Sequence, residues 1–423
     1  MNTSQATAAD TVTAPMQRVS GLFIAAYVLA QFGIWVALLT PMVLTIALRV
    51  GDLVEPAQKG TALGVILAIG AIVSVIVTPV AGNLSDAVTT RFGRRKPWIV
   101  FGAMAGACGL IVAGTAENLV VLALGWVLCQ AGFNAAQAAM MAVLPDVVPY
   151  EQQGRVSGFL GVTTTAGTLA GTWISQFTQS SSLLLMLAPF ALTAIFCGAF
   201  VTLLREKAQS ARAKEPRTKI DIAGFTEPFR DRDFNFAFLS RFLIMLAWSF
   251  LLTYQLFYLT DHIGLDRAAA TAVMVKSAGL IAMATVATSL LGGWISDLIG
   301  RRKPLVFLSA AIEASGFVLI AMSQSVDGFL FGVTIAAMGK GFYFGVDLAL
   351  VAAVLPNPER TARDLGLFQI ANTLPQSVAP AIAPIILTLG TGGVGGNYAA
   401  LYAFAAASSL LGAFAIIPLR RVR

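Results

Sequence analysis

Apolar runs of membrane-spanning length, separated by short polar or charged breaks, fill most of this chain. They lie near residues 21–48, 60–81, 98–115, 119–143, 156–177, 182–203, 235–259, 268–295, 305–323, 328–353, 365–389 and 399–418. A helix needs about 20 mostly apolar residues to cross the hydrocarbon core of a bilayer. The pattern therefore predicts an all-α membrane protein with twelve transmembrane helices.

The composition agrees with this prediction and argues against other classes. Apolar residues make up 57% of the chain and charged residues 12%, whereas soluble domains are about half apolar and a quarter charged. The net charge of +7 could attract nucleic acid, but the basic residues lie in the breaks between apolar runs and not on a folded soluble face. Nucleic acid is therefore not expected as a partner. The three cysteines all lie inside apolar runs and are not expected to form disulfides.

Basic residues are distributed unevenly between the two sides of the membrane. Because the number of helices is even, both termini lie on one side, and that side carries 22 of the 28 basic residues. These are Arg18, Arg91, Arg94, Arg95, Lys96, Arg155, eight in 204–234, Arg301, Arg302, Lys303, Arg360, Arg363, Arg420, Arg421 and Arg423. Cytoplasmic loops carry an excess of Lys and Arg. The sequence therefore predicts a multi-pass protein of the inner (cytoplasmic) cell membrane with both termini in the cytoplasm.

A charged segment divides the chain into two sets of six helices. The predicted regions are 1–20, a cytoplasmic N-terminal tail; 21–203, a six-helix bundle; 204–234, a cytoplasmic linker; 235–418, a second six-helix bundle; and 419–423, a cytoplasmic tail. Asp86 and Leu144 recur, in similar surroundings, as Asp297 and Leu355, each 211 residues later. This spacing predicts two six-helix pseudo-repeats, the arrangement with which many carriers enclose a site at mid-membrane.

Two loops at equivalent places carry a signature rich in glycine and arginine. The loop at 82–97 and the loop at 296–304 both end in Gly-Arg-Arg-Lys-Pro. Glycine permits a tight reversal between helices, and an aspartate can meet a cation or a helix N-terminus. We interpret these loops as a latch on a cytoplasmic gate, with anchoring of the topology as the alternative. The gate residues are Asp86, Arg94, Arg95, Asp297, Arg301 and Arg302.

Both loops resemble the loop signature of the major facilitator superfamily. The longer first copy, ending in Arg-Phe-Gly-Arg-Arg-Lys-Pro at 91–97, is more similar to the glycoside–pentoside–hexuronide:cation symporters and the sucrose–proton symporters than to a drug exporter. Segments 31–35 (Gln-Phe-Gly-Ile-Trp), 39–41 (Leu-Thr-Pro) and 144–155 support the resemblance. It implies the major facilitator fold and a secondary transporter for a sugar or glycoside.

The chain departs from both symporter families at their coupling residues. The sodium-coupled melibiose carriers that it resembles use acidic residues in the second and fourth spans, but 61–81 and 119–143 contain no Asp or Glu. The sucrose symporters carry an arginine in the fifth span, where this chain has Thr163, Thr164 and Thr165. Sodium coupling through that site is therefore not expected, and coupling must come from elsewhere or be absent.

Three ionisable residues deep in the spans are candidates for proton coupling. Charged groups at membrane depth cost at least roughly 2.5–3.5 kcal/mol each on insertion scales, so they are seldom placed there without a partner or a task. Lys340 and Asp347 share one face of the tenth span, and Glu313 lies near the middle of the ninth. A carboxylate beside Lys340 would respond to protons, with a static ion pair as the alternative. Arg241, near the cytoplasmic end of the seventh span, is expected to extend to the headgroups.

Neutral amides and aromatic rings within the spans are candidates for solute binding. Sugar hydroxyls take hydrogen bonds from amides, and the apolar face of a sugar ring rests on an aromatic ring. The candidates are Gln31, Trp35, Asn134, Gln137, Tyr254, Gln255, Tyr343, Asn372 and Gln376. For each residue alone, interhelical hydrogen bonding or packing is the alternative.

These patterns and the resemblance together predict a secondary active transporter that moves a small solute, a sugar or glycoside, with proton coupling by alternating access. The alternative is an exporter of drugs or other amphipathic compounds, which needs a more apolar cavity. A membrane enzyme or sensor is not expected, because no nucleophile–base pair, metal cluster or phosphate loop is visible. We expect no cofactor, metal or catalytic residue, the proton as coupling ion, the lipid bilayer and a small solute as partners, and a monomer.

Overall fold

The computed structural model describes residues 18–87, 90–204, 227–299, 302–354, 361–389 and 396–419. Within these ranges the chain forms thirteen α-helices. They are α1 (Gly21–Thr40), α2 (Ile46–Leu53), α3 (Lys59–Ala87), α4 (Lys96–Gly114), α5 (Leu119–Val147), α6 (Tyr150–Phe177), α7 (Ser182–Leu203), α8 (Arg232–Phe257), α9 (Arg267–Ile299), α10 (Lys303–Met322), α11 (Val326–Val354), α12 (Thr361–Leu387) and α13 (Tyr398–Phe414). Each predicted span is helical, with α1 and α2 forming the first, so the predicted all-α fold with twelve spans is confirmed.

Several helices extend beyond the apolar runs that predicted them. α3 continues to Ala87, and α6 begins at Tyr150 instead of 156. The first span does not end near 48, because α1 passes through a π-helical turn, Pro41–Thr45, into α2. Hydropathy detects only the part of a helix inside the hydrocarbon, whereas backbone hydrogen bonds continue through the polar interface. α8 likewise begins within the predicted linker 204–234, of which 205–226 lie outside the described residues.

The two halves of the chain pack in the same way. In the first half α1 contacts α6 and α7, α3 contacts α5, and α4 contacts α5 and α7. In the second half α8 contacts α12 and α13, α9 contacts α11, and α10 contacts α11 and α13. The contacts therefore repeat helix for helix, and the halves meet along α3 with α12 and α6 with α9. Two six-helix pseudo-repeats are present, as predicted.

The register of this repeat differs from the predicted 211 residues in part of each half. A Cβ at Gly109 would collide with the Cys129 backbone where α4 crosses α5, and one at Gly316 would collide with the Ala336 backbone where α10 crosses α11. These positions are 207 residues apart, as are the starts of α5 and α11. Leu144 lies inside α5, and its predicted counterpart at 355 lies outside the described residues.

The bundle has two ends, which we name by the chain. The terminal end carries Arg18 and Leu419, together with the connection from α3 to α4. The distal end is the opposite one and carries the connections from α2 to α3 and from α8 to α9. The distribution of basic residues predicts that the terminal end faces the cytoplasm.

Candidate functional site

The second half holds a buried ion pair between α8 and α11. Nη1 of Arg241 lies 3.2 Å from Oδ2 of Asp347, and the two side chains are 13% and 5% exposed. Nε of Arg241 donates to Oδ1 of Asn372 on α12 at 2.6 Å, and its guanidinium lies 5.1 Å from the ring centre of Phe368. The expectation that Arg241 extends to the headgroups is therefore wrong. A carboxylate, an amide and an aromatic face lie within its reach and satisfy the guanidinium inside the bundle.

A second contact joins α8 to α11 deeper in the bundle. Nζ of Lys340 lies 3.8 Å from the ring centre of Trp248 and 5.5 Å from that of Phe344. Trp248 follows Arg241 by seven residues, and Lys340 precedes Asp347 by seven. Seven residues are about two helical turns, which return to the same face. The two contacts therefore lie two helical turns apart along the same α8–α11 interface.

Glu313 on α10 lies beside the contact of Lys340 with Trp248. Its side chain is fully buried, and neither carboxylate oxygen has a hydrogen-bond partner among the described residues. A Cβ at Gly339 would collide with the Glu313 backbone, so α11 brings Lys340, the next residue, close to this point. The structure thus pairs Asp347 with Arg241 and places Glu313, the other buried carboxylate of this region, near Lys340.

Neutral amides occupy the interior of the first half. Oδ1 of Asn134 accepts from Ser74 at 2.8 Å, and its amide donates to Oε1 of Gln130 at 2.7 Å. Gln31 and Gln137 are each 5% exposed. Oε1 of Gln31 and both amide atoms of Gln137 lack a hydrogen-bond partner within the described part of the chain. Buried polar atoms of this kind are normally satisfied by protein, water or ligand.

The other candidate binding residues lie in different surroundings. Trp35 packs against α6 at Gly167, and Gln255 accepts a long hydrogen bond from Ser277 at 3.4 Å. Tyr343 is buried one turn from Asp347 and Gln376 lies half-buried on α12, one turn after Asn372. The candidates are thus divided between the first half (Gln31, Trp35, Asn134, Gln137) and the second half (Gln255, Tyr343, Asn372, Gln376).

Tyr254 differs from the other candidates because it joins the two halves. Its hydroxyl donates to the backbone oxygen of Gly60 on α3 at 3.2 Å. Close beside it, a Cβ at Gly64 would collide with the backbone oxygen of Pro380 on α12. Only a residue without a side chain permits this approach of the two helices. Tyr254 therefore lies where the halves meet toward the distal end.

Two ion pairs join the halves at the distal end, and we call these four residues the distal latch. Asp52 lies 2.6 Å from Arg267, and Lys59 lies 3.7 Å from Asp261. In each half, an acidic residue is followed by a basic residue across the equivalent helix connection. Each acidic residue pairs with the basic residue of the other half. Sequence reasoning missed the latch, although the recurrence of an acid six or seven residues before a base at equivalent connections was a usable signal.

The terminal loop of the first half is held by a different set of contacts. Gly93 has a φ of 106°, a conformation that favours glycine, and it closes a turn with Thr90. Arg94 and Arg95 contact Oδ2 of Asp146 at the end of α5, at 2.7 and 2.8 Å. These two contacts stay within the first half.

The remaining predicted gate residues are described only in part. The side chains of Asp86 and Asp297 and the whole of Arg301 lie outside the described residues. Arg302 directly precedes α10, and its side chain is half-buried. The role of the gate residues stays a prediction.

The whole described chain resembles a known family. The family model described as Major Facilitator Superfamily matches residues 21–287 and again residues 238–423. The two matches overlap and together cover almost the whole chain. Each half of the repeat is therefore recognised.

Solved structures share the fold over nearly the full length. The nucleoside transporter NupG superposes with a TM-score of 0.72 at 15% identity, covering 95% of this chain and 99% of that one. A D-xylose–proton symporter gives 0.71 at 15% identity, covering 95% and 98%. A bacterial homolog of the human lysosomal transporter Spinster gives 0.70 at 14% identity, covering 94% of each. At these identities the likeness shows the fold alone.

Curated relatives match shorter stretches. The class H tetracycline resistance protein of Pasteurella multocida is 30% identical over 139 residues, which are 33% of this chain and 32% of that protein. The uncharacterized MFS-type transporter YfiU of Bacillus subtilis (strain 168) is 33% identical over 95 residues, 22% of this chain and 18% of that protein. The alignments thus span a third or less of these relatives.

Proposed function

This chain belongs to the major facilitator superfamily, and we propose that it moves a sugar or glycoside together with protons across the cytoplasmic membrane by alternating access. The buried charges of the second half carry this proposal. Arg241, Asp347, Lys340 and Glu313 lie at membrane depth, where charged groups are expensive and mark ion or substrate pathways. We place both termini in the cytoplasm and treat the carrier as a monomer.

The contacts between the halves support alternating access. The distal latch, the Tyr254 hydrogen bond and the close approach at Gly64 all hold the halves together toward one end. Opening that end requires the two ion pairs and the Tyr254 hydrogen bond, all between separate bundles, to break. Such rigid-body rocking about a fixed central site is how paired bundles change access.

The polar groups of the interior support a hydroxyl-bearing solute. In the first half, Oε1 of Gln31 and the amide of Gln137 lack hydrogen-bond partners among the described residues, and the second half offers the indole of Trp248 and the ammonium of Lys340. Amide donors and acceptors with an aromatic surface suit a ring that has an apolar face and polar edges. Two structural neighbours are named for solutes with such rings, D-xylose and nucleosides.

An exporter of amphipathic compounds is the second candidate. It is favoured by the relative named as a tetracycline resistance protein. In this reading the aromatic residues near Lys340 would hold a planar ligand and the proton would travel opposite to it. The two candidates therefore differ in the direction of proton movement relative to solute.

Proteoliposomes with an imposed pH gradient separate the candidates. Labelled D-xylose, sucrose and uridine serve as uptake probes, tetracycline serves as the efflux probe, and an internal pH dye follows protons. Symport predicts that one uptake probe and protons enter together, with the flux lost in Asp347→Asn. Glu117→Gln, a change at an exposed carboxylate in the α4–α5 connection, is the matched control. Counterflow of protons against tetracycline, with no uptake of the other probes, would reject symport.

A further inference from the structure

We propose that Trp248 and Lys340 form the subsite that holds the solute ring, and that the charge on Glu313 decides whether Lys340 remains there. This inference rests on the proposed transport function and specifies its solute: a ring with one apolar face and hydroxyls at its edge. Neither Trp248 as a ligand-binding residue nor Lys340 as a donor to solute follows from the family match.

The first observation is the position of the Lys340 ammonium. It rests on the face of Trp248 at 3.8 Å from the ring centre, a cation–π arrangement, and Trp248 is only 4% exposed. Within the described residues, its contacts are this ring and the Phe344 ring. An ammonium can donate three hydrogen bonds. The Lys340 ammonium therefore covers the face of the indole ring, and its N–H groups remain available to donate hydrogen bonds to the hydroxyls of a ligand.

The second observation is the state of Glu313. Its carboxylate is fully buried and makes no hydrogen bond to the described part of the chain. Gly339, which lies directly before Lys340, is the point where α11 approaches the Glu313 backbone. An isolated ionised carboxylate in such a place is strongly unfavourable. The arrangement with Lys340 on Trp248 therefore suits a protonated Glu313, and an ionised Glu313 would draw the ammonium to itself.

The other charges nearby do not compete for Glu313. Arg241 and Asp347 satisfy each other two helical turns away. α13, the other helix packed on α10, carries no acidic or basic residue between 398 and 414. Its titratable groups are the hydroxyls of Tyr398 and Tyr402, and its Ser409 bonds the backbone oxygen of Ala310. Lys340 is thus the charged group whose position depends on whether Glu313 is protonated.

The coupling follows from these two positions. When Glu313 takes up a proton from solution, Lys340 stays in the subsite. The solute ring then takes the indole face, and the displaced ammonium donates to the hydroxyls at the ring edge. When Glu313 loses its proton to the opposite side, Lys340 keeps its own proton and pairs with the carboxylate, away from the solute. Proton and solute are therefore bound together and released together.

A ligand-free experiment tests the movement of Lys340. The protein contains six tryptophans, and the emission of Trp248 is obtained as the difference between the wild type and Trp248→Phe in lipid nanodiscs. We expect this difference to change with pH in one transition, as the ammonium leaves the indole on deprotonation of Glu313. In Glu313→Gln it should remain at the low-pH level throughout, and in Lys340→Met it should not vary with pH.

Matched variants keep the result interpretable. Glu117→Gln and Trp173→Phe, at exposed positions, should retain the transition. If Glu313→Gln or Lys340→Met fails to fold, Glu313→Asp and Lys340→Arg should retain a transition with a displaced midpoint. A wild type without any transition, or the same transition in Glu313→Gln, would overturn the proposal.

A solute arm tests the subsite itself. D-xylose and sucrose are added separately at low and at high pH, and the Trp248 difference emission is recorded. A sugar that is taken up by the vesicles should change that emission only at low pH. A change of equal size at both pH values would overturn the role of Glu313. Absence of any sugar uptake would reject the proposed function but leave the ligand-free titration readable.

Discussion

The two halves of the molecule share one helical frame and differ in where they place charge. Where α4 crosses α5, Gly106 faces the ring of Phe133. At the equivalent crossing of α10 with α11, 207 residues later, the same two positions hold Glu313 and Lys340. The first half therefore achieves the same crossing without charge.

This difference bears on why the charges are present. If Glu313 and Lys340 only fixed helix packing, the first half would need a counterpart at Gly106 and Phe133, and it has a glycine and a ring. The position of Asp347 likewise corresponds to Met140 in the first half. Because the neutral half packs in the same way, the charges of the second half are not required for this helix crossing, which supports the proposed transport role.

The largest expected effect comes from breaking the buried ion pair. Asp347→Asn leaves the Arg241 guanidinium without its counter-charge, and removing one partner of a buried pair costs about 3–5 kcal/mol. We expect a large loss of thermal stability in detergent and of proton-linked transport. The double variant Asp347→Asn/Arg241→Gln should recover much of the stability but not the transport.

The matched control is the neutral half. Met140→Leu, at the position equivalent to Asp347, conserves volume and should change stability by less than about 1.5 kcal/mol. Transport that stays fully proton-driven in Asp347→Asn would clear Asp347 of a coupling role. The same measurement on Glu313→Gln would then follow.

A second prediction compares the two helix crossings directly. A Cβ at Gly132 would collide with the Gly106 backbone, and one at Gly339 with the Glu313 backbone. Gly132→Ala and Gly339→Ala should each destabilise the protein by about 1–3 kcal/mol through overpacking, measured by thermal unfolding. Gly279→Ala, at a position with open space around it, should have little effect. Unequal losses of stability in these two variants would show that the two halves do not pack in the same way at their helix crossings.

A third prediction concerns the contacts that join the halves. Asp52 and Arg267 are each 33% exposed, and exposed pairs contribute about 0.2–1 kcal/mol. Arg267→Gln should therefore shift the population toward opening of the distal end by a few-fold, and it leaves the contact of Asp52 with Arg49 inside the first half in place. Spin-label distances between the distal ends of α2 and α9 measure this shift.

Removal of the other partner provides the control for the distal latch. Asp52→Asn breaks the same ion pair and also the contact with Arg49, so it should open the distal end at least as far as Arg267→Gln does. An unchanged distance distribution in both variants would show that this ion pair does not hold the distal end closed.

The smallest expected effect is at the terminal loop. Asp146 is 28% exposed and contacts both Arg94 and Arg95, so Asp146→Asn should cost at most about 1 kcal/mol. The loop after α3 should loosen, which is measured as faster trypsin cleavage at 91–96. Unchanged cleavage would show that other contacts hold the loop.

The buried charged residues of the candidate site could be selected from the sequence, but their pairings could not. Depth in an apolar run was enough to select Glu313, Lys340 and Asp347, because charge there is rare. Depth alone did not pair Arg241 with Asp347, because the sequence also allowed the Arg241 side chain to extend to the headgroups. Partner choice depends on how α8 and α11 are rotated toward each other, which a one-dimensional pattern does not contain.

The helices, their number and the duplicated frame were determined by the sequence itself. In hydrocarbon every backbone polar group must be satisfied within its own segment, so each apolar run of sufficient length has to be a helix. The tertiary structure alone decided the 207-residue register of the second crossing and the meeting of Asp52 with Arg267 across 215 residues. It also decided the place of Lys340 on Trp248. These features depend on side-chain reach between helices distant in the chain, and local patterning places no constraint on that reach.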